Sequence, residues 1–336
     1  MRAAFVAGRG WDTSQGRSRA TSLALPFLVL LLGALATIPA QAAERPLIVG
    51  TAPVSGTFYP AGGALCREIN KAADDRLACL VAPTEGSEEN LKRMMTGDVD
   101  LAVVQSDWAH HATGRGLLGE APFADLRSLF SLQPLVMSLV ARPQSGIVQV
   151  DQLAGRTLSI GPSGSGLAAS ARLVLEGLGF GPGSLELVEM PVDRQISALC
   201  NGEIDAFLIP VAHPNGAVGA AVDLCAATFV PISGERVARL LQAFPYYGTA
   251  SIPAGLYLYN ADTIESVGLV ANVVVDAGME EDLAYQIVRA VFDNLDDLRA
   301  QHPVLENLNE LEMTGPGLTA PLHPGALRYY QERGWR

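Results

Sequence analysis

From residue 47 onward, short runs of aliphatic and β-branched residues alternate with stretches whose apolar residues recur every three or four positions. The short runs predict buried strands, and the longer spacing predicts amphipathic helices. Their regular alternation predicts the α/β class, with mostly parallel sheets that carry helices on both faces. The predicted strands are 47–51, 77–82, 101–105, 158–161, 185–189, 206–209, 250–258 and 267–275, and the predicted helices are 60–73, 87–95, 167–177, 193–201, a long one with Leu283, Ile287, Val291, Leu295 and Leu298 on one stripe, and 324–333.

Two stretches of the chain share one order of elements: a strand, a turn of small residues, a helix, a strand, a second helix, and a Gly-x-x-Asp step into a third strand. Such a repeat predicts two lobes of related build, and chance similarity of two βαβ stretches is the alternative. The turns and steps are Ser55-Gly56-Thr57 with Gly97 to Asp100, and Ser163-Gly164-Ser165 with Gly202 to Asp205.

The segments after the second repeat are too short to form a domain of their own, so we expect them to return to the first lobe. This predicts lobe 1 from residues 43–137 plus 254–336 and lobe 2 from residues 138–253. A ligand cleft would lie between the lobes, with hinges near residues 135–142 and 250–258.

The amino-terminal segment predicts export. Four arginines and one aspartate precede an apolar run over residues 23–38, which is followed by Pro39-Ala40-Gln41-Ala42. This pattern is typical of a secretory signal, here residues 1–42 with cleavage after Ala42, and predicts a periplasmic protein. The run is shorter than the roughly 20 residues of a spanning helix, although an N-terminal membrane anchor is the alternative. The whole chain carries a net charge of −12, which argues against nucleic-acid partners.

All four cysteines lie after the predicted signal. An even number of cysteines in an exported chain predicts disulfides before it predicts a metal site. Three pairings are possible, and the spacing favours the two local ones, with four free thiols as the alternative. The favoured pairs are Cys66 with Cys79 and Cys200 with Cys225.

The turns over residues 54–59 and 161–166 each leave a predicted strand and open a predicted helix. A helix N-terminus presents unpaired N–H groups and the positive end of a dipole, so it binds anions without an arginine. Ligands of open α/β sheets also lie beyond the carboxyl ends of strands. Two such turns facing each other predict a site that holds one small anion from both lobes, whereas ordinary helix capping is the alternative for either turn alone.

Candidate catalytic patterns are weak. No Gly-x-Ser-x-Gly occurs at residues 161–166, and Leu167 stands where a phosphate loop has lysine. His213 with Ser163 and Asp205 follows no triad spacing, and His110-His111 has no third metal ligand at a suitable distance along the chain. We therefore expect a binding protein without catalytic residues, metal or cofactor, and a hydrolase is the less favoured alternative.

Five motifs occur in a fixed order over nearly the whole chain after residue 46. They are Gly56-Thr57-Phe58-Tyr59-Pro60, Gly86-Ser87-Glu88-Glu89-Asn90, Gln105-Ser106-Asp107, Gly161-Pro162-Ser163-Gly164-Ser165-Gly166 and His213-Pro214. In this order they resemble the extracytoplasmic receptors of the TRAP (tripartite ATP-independent periplasmic) transporters, and among them the TAXI subfamily.

This resemblance implies a two-lobed periplasmic binding protein of class II that works with TRAP membrane subunits. It also implies a small anionic ligand, a carboxylate such as glutamate or 2-oxoglutarate. A receptor that feeds a signalling partner is the alternative. The implied ligand-binding residues are Thr57, Tyr59, Ser87, Asn90, Gln105 and Ser106 in lobe 1, and Ser163, Gly164, Ser165 and His213 in lobe 2.

Overall fold

The first repeated unit consists of three parallel strands and two helices. In the computed structural model, which describes residues 45–54, 56–72, 78–114, 121–244, 246–315 and 317–336, strand β1 lies between β2 and β3. The predicted signal segment and Ser55 lie outside the described residues. The elements of this unit are β1 (Leu47–Gly50), α1 (Phe58–Ala72), β2 (Cys79–Ala82), α2 (Ser87–Met95) and β3 (Leu101–Gln105).

The second repeated unit has the same strand order. Strand β5 lies between β6 and β7, and both pairings are parallel. The repeat predicted from the sequence is therefore confirmed. The elements of this unit are β5 (Thr157–Ser159), α4 (Gly166–Gly177), β6 (Glu186–Val188), α5 (Val192–Cys200) and β7 (Ala206–Val211).

The two Gly-x-x-Asp steps have the same local structure. Gly97 and Gly202 follow α2 and α5 with φ angles of +78° and +74°, a conformation that glycine adopts without a steric penalty. Asp100 then accepts a hydrogen bond from the backbone N–H of Ile48 at 2.8 Å and pairs with Arg45. The second unit repeats this arrangement with Asp205, Thr157 and Arg142.

Two long strands, β4 (Leu126–Ala141) and β10 (Ile264–Asp276), join the units into one sheet. The order is β2-β1-β3-β10-β4-β7-β5-β6, with β8 (Thr228–Phe229) beside β4 and β9 (Gly248–Ile252) beside β10. Strand β10 is antiparallel to both β3 and β4. Strand β4 pairs with β10 up to Val136 and with β7 from Val136 onward. We call the β2-β1-β3-β10 side of the sheet, with its helices, the first half. The β7-β5-β6 side, with its helices, is the second half.

Three sequence predictions were wrong in extent. The first crossing between lobes was predicted near residues 135–142, whereas strand β4, which makes this crossing, already begins at Leu126. The strand predicted over residues 250–258 ends at Ile252. The predicted long helix is broken after Phe292, so its apolar stripe belongs to two shorter helices that both pack on the core. The α/β class itself is confirmed, although the pairings of β4 and β10 are antiparallel.

The remaining helices pack on the sheet or on one another. Among the described helices, none combines the length and the apolar character that a membrane span needs. Helix α11 packs against α8 on the first half, where the Phe292 ring stacks on Tyr329 at a centroid distance of 5.9 Å. These helices are α3 (Ser106–Gly114), α6 (Gly216–Cys225), α7 (Glu235–Ala243), α8 (Glu281–Phe292), α9 (Leu295–Ala300), α10 (Glu310–Met313) and α11 (Pro324–Glu332), with 3-10 turns at Pro143–Ser145, Val150–Leu153 and Pro303–Leu305.

Both local disulfides form. The bridge from Cys66 to Cys79 joins α1 to β2, and the bridge from Cys200 to Cys225 joins α5 to α6. Each therefore ties a helix of one repeated unit to the element that packs beside it, as the spacing of the cysteines predicted.

Candidate functional site

The carboxyl end of β3 contacts α4 of the second half through Gln105. The Gln105 Nε2 donates to Ser170 Oγ at 3.1 Å, and its Oε1 accepts from Ser87 Oγ at 3.4 Å. The Ser87 hydroxyl oxygen also accepts from the Gln105 backbone N–H at 3.0 Å. All three side chains are at most 2% exposed. The two halves thus meet directly at a buried polar cluster, which we call the Gln105 cluster and which also includes Asp107 and Tyr247.

Asp107 is the buried acid of the Gln105 cluster. Its carboxylate accepts from Ser170 Oγ, from Tyr247 OH at 3.0 Å and from the Trp108 backbone N–H at 2.8 Å. Burial raises the pKa of Asp107 to about 6, and the hydrogen-bond donors oppose that rise. The same burial raises the pKa of Tyr247 well above its usual value. This acid therefore joins a residue of α4 to the segment that follows α7.

The N-termini of α2 and α4 come together at Gln105 from opposite halves. Helix α4 begins at Gly166, and a Cβ placed there would collide with Gln105 Oε1, 3.0 Å from Trp108 Nε1 and 3.3 Å from Ser87 Cβ. Ser87 is the first residue of α2. Helix N-termini carry unpaired N–H groups and a positive dipole end, so this meeting point attracts anions and other hydrogen-bond acceptors.

Ser165 caps α4 in the way its position predicts. Its Oγ accepts from the Ala168 N–H at 3.2 Å and donates to Pro162 O at 2.7 Å. The N–H groups of Gly166 and Leu167 have no acceptor among the described residues. These two donors belong to the helix end that contacts Gln105.

Asn90 and Ser106 adjoin the Gln105 cluster in sequence but bond within the first half. The Asn90 Nδ2 donates to Thr51 O at 2.7 Å and to Val103 O at 3.0 Å, so both amide hydrogens are used by the backbone. The Ser106 hydroxyl accepts from the Val270 N–H at 3.3 Å. Both residues therefore hold β1, β3 and β10 in place around the cluster.

The residues of the predicted turns occupy different surroundings. Thr57 and Tyr59 are half-buried at the start of α1, and no described contact links them to the Gln105 cluster. Ser163 and Gly164 lie exposed in the turn before α4. The Ser163 hydroxyl donates to Glu189, which lowers the pKa of that carboxyl.

His213 belongs to a separate polar chain in the second half. Its Nδ1 lies 2.6 Å from Tyr257 OH, and its Nε2 lies 2.9 Å from Ser138 Oγ. Because Tyr257 OH accepts from the Asn215 N–H and Ser138 Oγ donates to Val136 O, the Tyr257 hydroxyl donates to Nδ1 and Nε2 carries the imidazole hydrogen. Burial lowers the pKa of His213 to about 4, so the ring is neutral.

The triad of Ser163, Asp205 and His213 is not assembled, because each member bonds to other residues: Asp205 pairs with Arg142 at 2.7 Å. Among the described residues, no three His, Cys, Asp or Glu side chains are grouped closely enough to hold a metal ion. A surface pocket of about 400 Å³ lies between α1 and α8, away from the Gln105 cluster; it is lined by Ile69, Ala72, Gln286, Ile287, Arg289, Ala290, Asp293 and Asn294.

Residues 49–334 match the family model described as the NMT1-like family. The chain belongs to the NMT1-like family. Solved structures share the fold of this NMT1-like protein at low sequence identity. A protein from Xanthomonas citri bound to ATP is 12% identical, with 85% of this chain and 94% of that chain covered and a TM-score of 0.52.

A protein from Bordetella bronchiseptica RB50 is also 12% identical, with 87% and 99% covered and a TM-score of 0.52. The periplasmic aliphatic sulphonate binding protein SsuA from Escherichia coli is 11% identical, with 86% and 83% covered and a TM-score of 0.46. At these identities the likeness concerns the fold, and the first two structures confirm the predicted two-lobed α/β type for the NMT1-like chain.

Three residues of the Gln105 cluster in this NMT1-like chain were missed by sequence reasoning. Asp107 ends the motif Gln105-Ser106-Asp107, so its place two residues after Gln105 is a usable signal. Ser170 and Tyr247 reach Asp107 across 63 and 140 residues of chain. A serine inside a helix and a tyrosine in a loop give no local signal for such contacts.

Proposed function

We propose that this NMT1-like protein is an extracytoplasmic solute receptor that binds a small carboxylate between its two lobes and delivers it to the membrane subunits of a TRAP-type transporter. The observation that carries the proposal is the meeting of the α2 and α4 N-termini at Gln105. A carboxylate held there would accept hydrogen bonds from both lobes, so binding would favour the arrangement in which the lobes are together.

The lobes of this proposal are residues 43–137 plus 254–336 and residues 138–253. The change of partner of β4 at Val136 supports the first boundary. Between the lobes the chain crosses in β4 and again on the approach to β10, where Ser266 Oγ donates to Met137 O at 2.6 Å. Two strand crossings that lie side by side suit a hinge, because small changes of twist there move whole lobes.

Recognition in this proposal uses neutral donors. The N–H groups of Gly166 and Leu167, which have no acceptor within the described segments, lie close to the place where the halves meet, as do the Ser87 hydroxyl and the Gln105 amide. Asp107 already has three hydrogen-bond donors, which spread its charge. A carboxylate ligand adds a second negative charge nearby, so we expect affinity to rise as the pH falls through 6 and Asp107 takes up a proton.

The compartment and the partner rest on further observations. Residues 1–42 carry the export pattern, and the two disulfides suit the oxidising space outside the cytoplasmic membrane. The five ordered motifs support the TAXI subfamily and hence TRAP membrane subunits as partners. The net charge of −12 suits an anion-binding site built from helix ends rather than from a basic patch.

A thermal-shift screen followed by calorimetry tests this function. Glutamate, 2-oxoglutarate and related C4 to C5 acids should raise the melting temperature saturably, because a ligand that binds only the folded state stabilises it. Gln105→Ala should weaken binding by roughly 10-fold or more, as expected for a lost hydrogen bond to a charged group. Asp98→Ala, at an exposed position in the turn after α2, is the matched control. A response to sugars alone would contradict the proposal.

A further inference from the structure

Gln133 on β4 is a buried amide that has no hydrogen-bond partner in the part of the chain that the structure describes. It is 1% exposed, and neither its Nε2 nor its Oε1 has a partner among the described residues. In the described part of the chain it is the one buried side-chain amide whose nitrogen and oxygen both lack a partner. A buried polar group left unpaired costs about 1–3 kcal/mol, and folded proteins pair most such groups. A glutamine in this position therefore points to partners that come from outside the chain.

A β-bulge places Gln133 in the sheet. Leu132 and Gln133 together stand opposite Ala271 of β10, so β4 carries one residue more than its partner here. Bulges bend a strand and re-aim its side chains, and they are frequent next to binding sites. The regular pairs on either side are Ser131 with Asn272 and Pro134 with Val270.

The register sets Gln133 level with the Gln105 cluster. Ala271 pairs with Gln105 on its other side, so Gln133 and Gln105 lie on one row, two strands apart. This spacing corresponds to roughly 10 Å. Three residues further on, Val136 begins the pairing of β4 with β7. Gln133 therefore lies on the strand that runs between the halves, at the level where they meet.

We infer that Gln133 is a ligand-binding residue that selects for an acid carrying a hydrogen-bond donor beside its carboxylate. This inference rests on the proposed function and narrows its ligand class. A carboxamide presents two donor hydrogens and one acceptor oxygen. A 2-amino or 2-hydroxy acid satisfies both sides of it: the carboxylate accepts from Nε2, and the ammonium or hydroxyl donates to Oε1. A 2-oxo acid leaves Oε1 unpaired and binds less well.

The experiment compares glutamate, 2-hydroxyglutarate and 2-oxoglutarate by calorimetry on the wild type and on Gln133→Met, which keeps the side-chain length and removes both polar atoms. The wild type should prefer the first two acids over 2-oxoglutarate. In Gln133→Met the affinity for those two should fall by roughly 10- to 100-fold, with a smaller loss for 2-oxoglutarate. The melting temperature without ligand should stay the same or rise, because the unpaired amide is gone.

Asn272→Leu is the matched control. Asn272 is also buried and its Oδ1 has no described partner, but its Nδ2 donates to Gly317 O at 3.1 Å. This variant should lose stability and keep the affinities. Equal affinities in the wild type and Gln133→Met would overturn the inference and leave the proposed function standing. A wild type that binds none of the three acids would instead refute the carboxylate function itself.

Discussion

The two repeated units share a scaffold and differ at the ends of their third strands. Both place the first strand between the other two. In both, the second helix is followed by a glycine and then by an aspartate that accepts a hydrogen bond from a backbone N–H and pairs with an arginine. After β3 the first unit buries an acid, Asp107, whereas after β7 the second unit holds a half-buried base, His213. The scaffold is thus duplicated, while the polar groups beyond the strand ends are specific to each unit.

The disulfides also differ between the units. The first closes a loop of 13 residues inside its own unit, and the second closes 25 residues and reaches helix α6. In the chain-entropy treatment a longer closed loop restricts the unfolded chain more, so the two bridges should not stabilise equally.

The largest expected effects come from removing these bridges. The pair Cys200→Ala with Cys225→Ala should lower the free energy of unfolding by roughly 3.5 kcal/mol, and Cys66→Ala with Cys79→Ala by roughly 3 kcal/mol. Urea denaturation followed by circular dichroism measures both. Under a reducing agent the wild type should approach the stability of a variant in which all four cysteines are replaced by alanine. The reverse order of the two losses would show that loop length does not govern the difference.

The buried acid Asp107 and the half-buried base His213 should give opposite pH dependences. Burial raises the pKa of Asp107 to about 6, so its contribution to stability is present below pH 4 and is lost as the pH rises to 6. Burial lowers the pKa of His213 to about 4, so its contribution is present above pH 6.5 and is lost as the pH falls to 4. Each effect is on the order of 3 kcal/mol, and in the wild type they oppose each other.

Single variants should separate the two effects. Asp107→Asn should leave the His213 effect, so its stability relative to wild type should improve with increasing pH between 4 and 6. His213→Gln should show the reverse trend over the same range. Denaturation curves at half-unit pH steps measure both. Parallel pH profiles for the two variants would mean that the pKa of one of these groups is not shifted in the folded protein.

A smaller and equal effect is expected from the two aspartates of the repeated steps. Asp100→Asn and Asp205→Asn each remove the charge that pairs with an arginine and weaken a bond to a backbone N–H. With side chains 17% and 16% exposed, each change should destabilise by roughly 2 kcal/mol. Asp98→Asn, in an exposed turn position, should change stability by less than about 0.5 kcal/mol. Unequal losses of stability at the two aspartates would show that the two units are equivalent in their backbones but not in these side-chain interactions.

The repeated units could be predicted from the sequence almost to the residue, because their signals are local. Apolar periodicity defined α2 and β3, and the left-handed glycines marked where helices end. Strand β4 gave no such signal. Nearly all of its residues are buried, so the apolar and polar alternation of a half-exposed strand is missing, and Pro134 interrupts the pattern.

The candidate site was predictable only in part. Gln105 and Ser87 stand at a strand end and a helix start, where ligands of α/β sheets are expected. Gln133 has no neighbouring motif, and its significance depends on a bulge that only the register of β4 against β10 defines. Contacts between distant parts of the chain, such as Tyr247 with Asp107, follow from the packing of the halves.

The smallest expected effect concerns a pair of glycines that each begin a helix. Gly166→Ala places a methyl group against Gln105, and this crowding, partly offset by better helix propensity, should weaken ligand binding by roughly 1 kcal/mol. Gly216→Ala, at the first residue of α6 with open space around it, should leave binding unchanged. Isothermal calorimetry with glutamate compares them. Unaltered binding in Gly166→Ala would show that the close approach of α4 to Gln105 is not needed for the bound state.

The position of β10 has a consequence for the order in which the chain folds. Residues 264–276 fill the gap between β3 and β4, although β3 ends at residue 105. A chain that emerges from its amino terminus must therefore carry two unsatisfied strand edges until about four-fifths of it has been made. Such non-local pairing slows folding, and exposed edges invite association with other chains. The second half, being continuous in sequence, is free to form first and to bring β4 and β10 side by side.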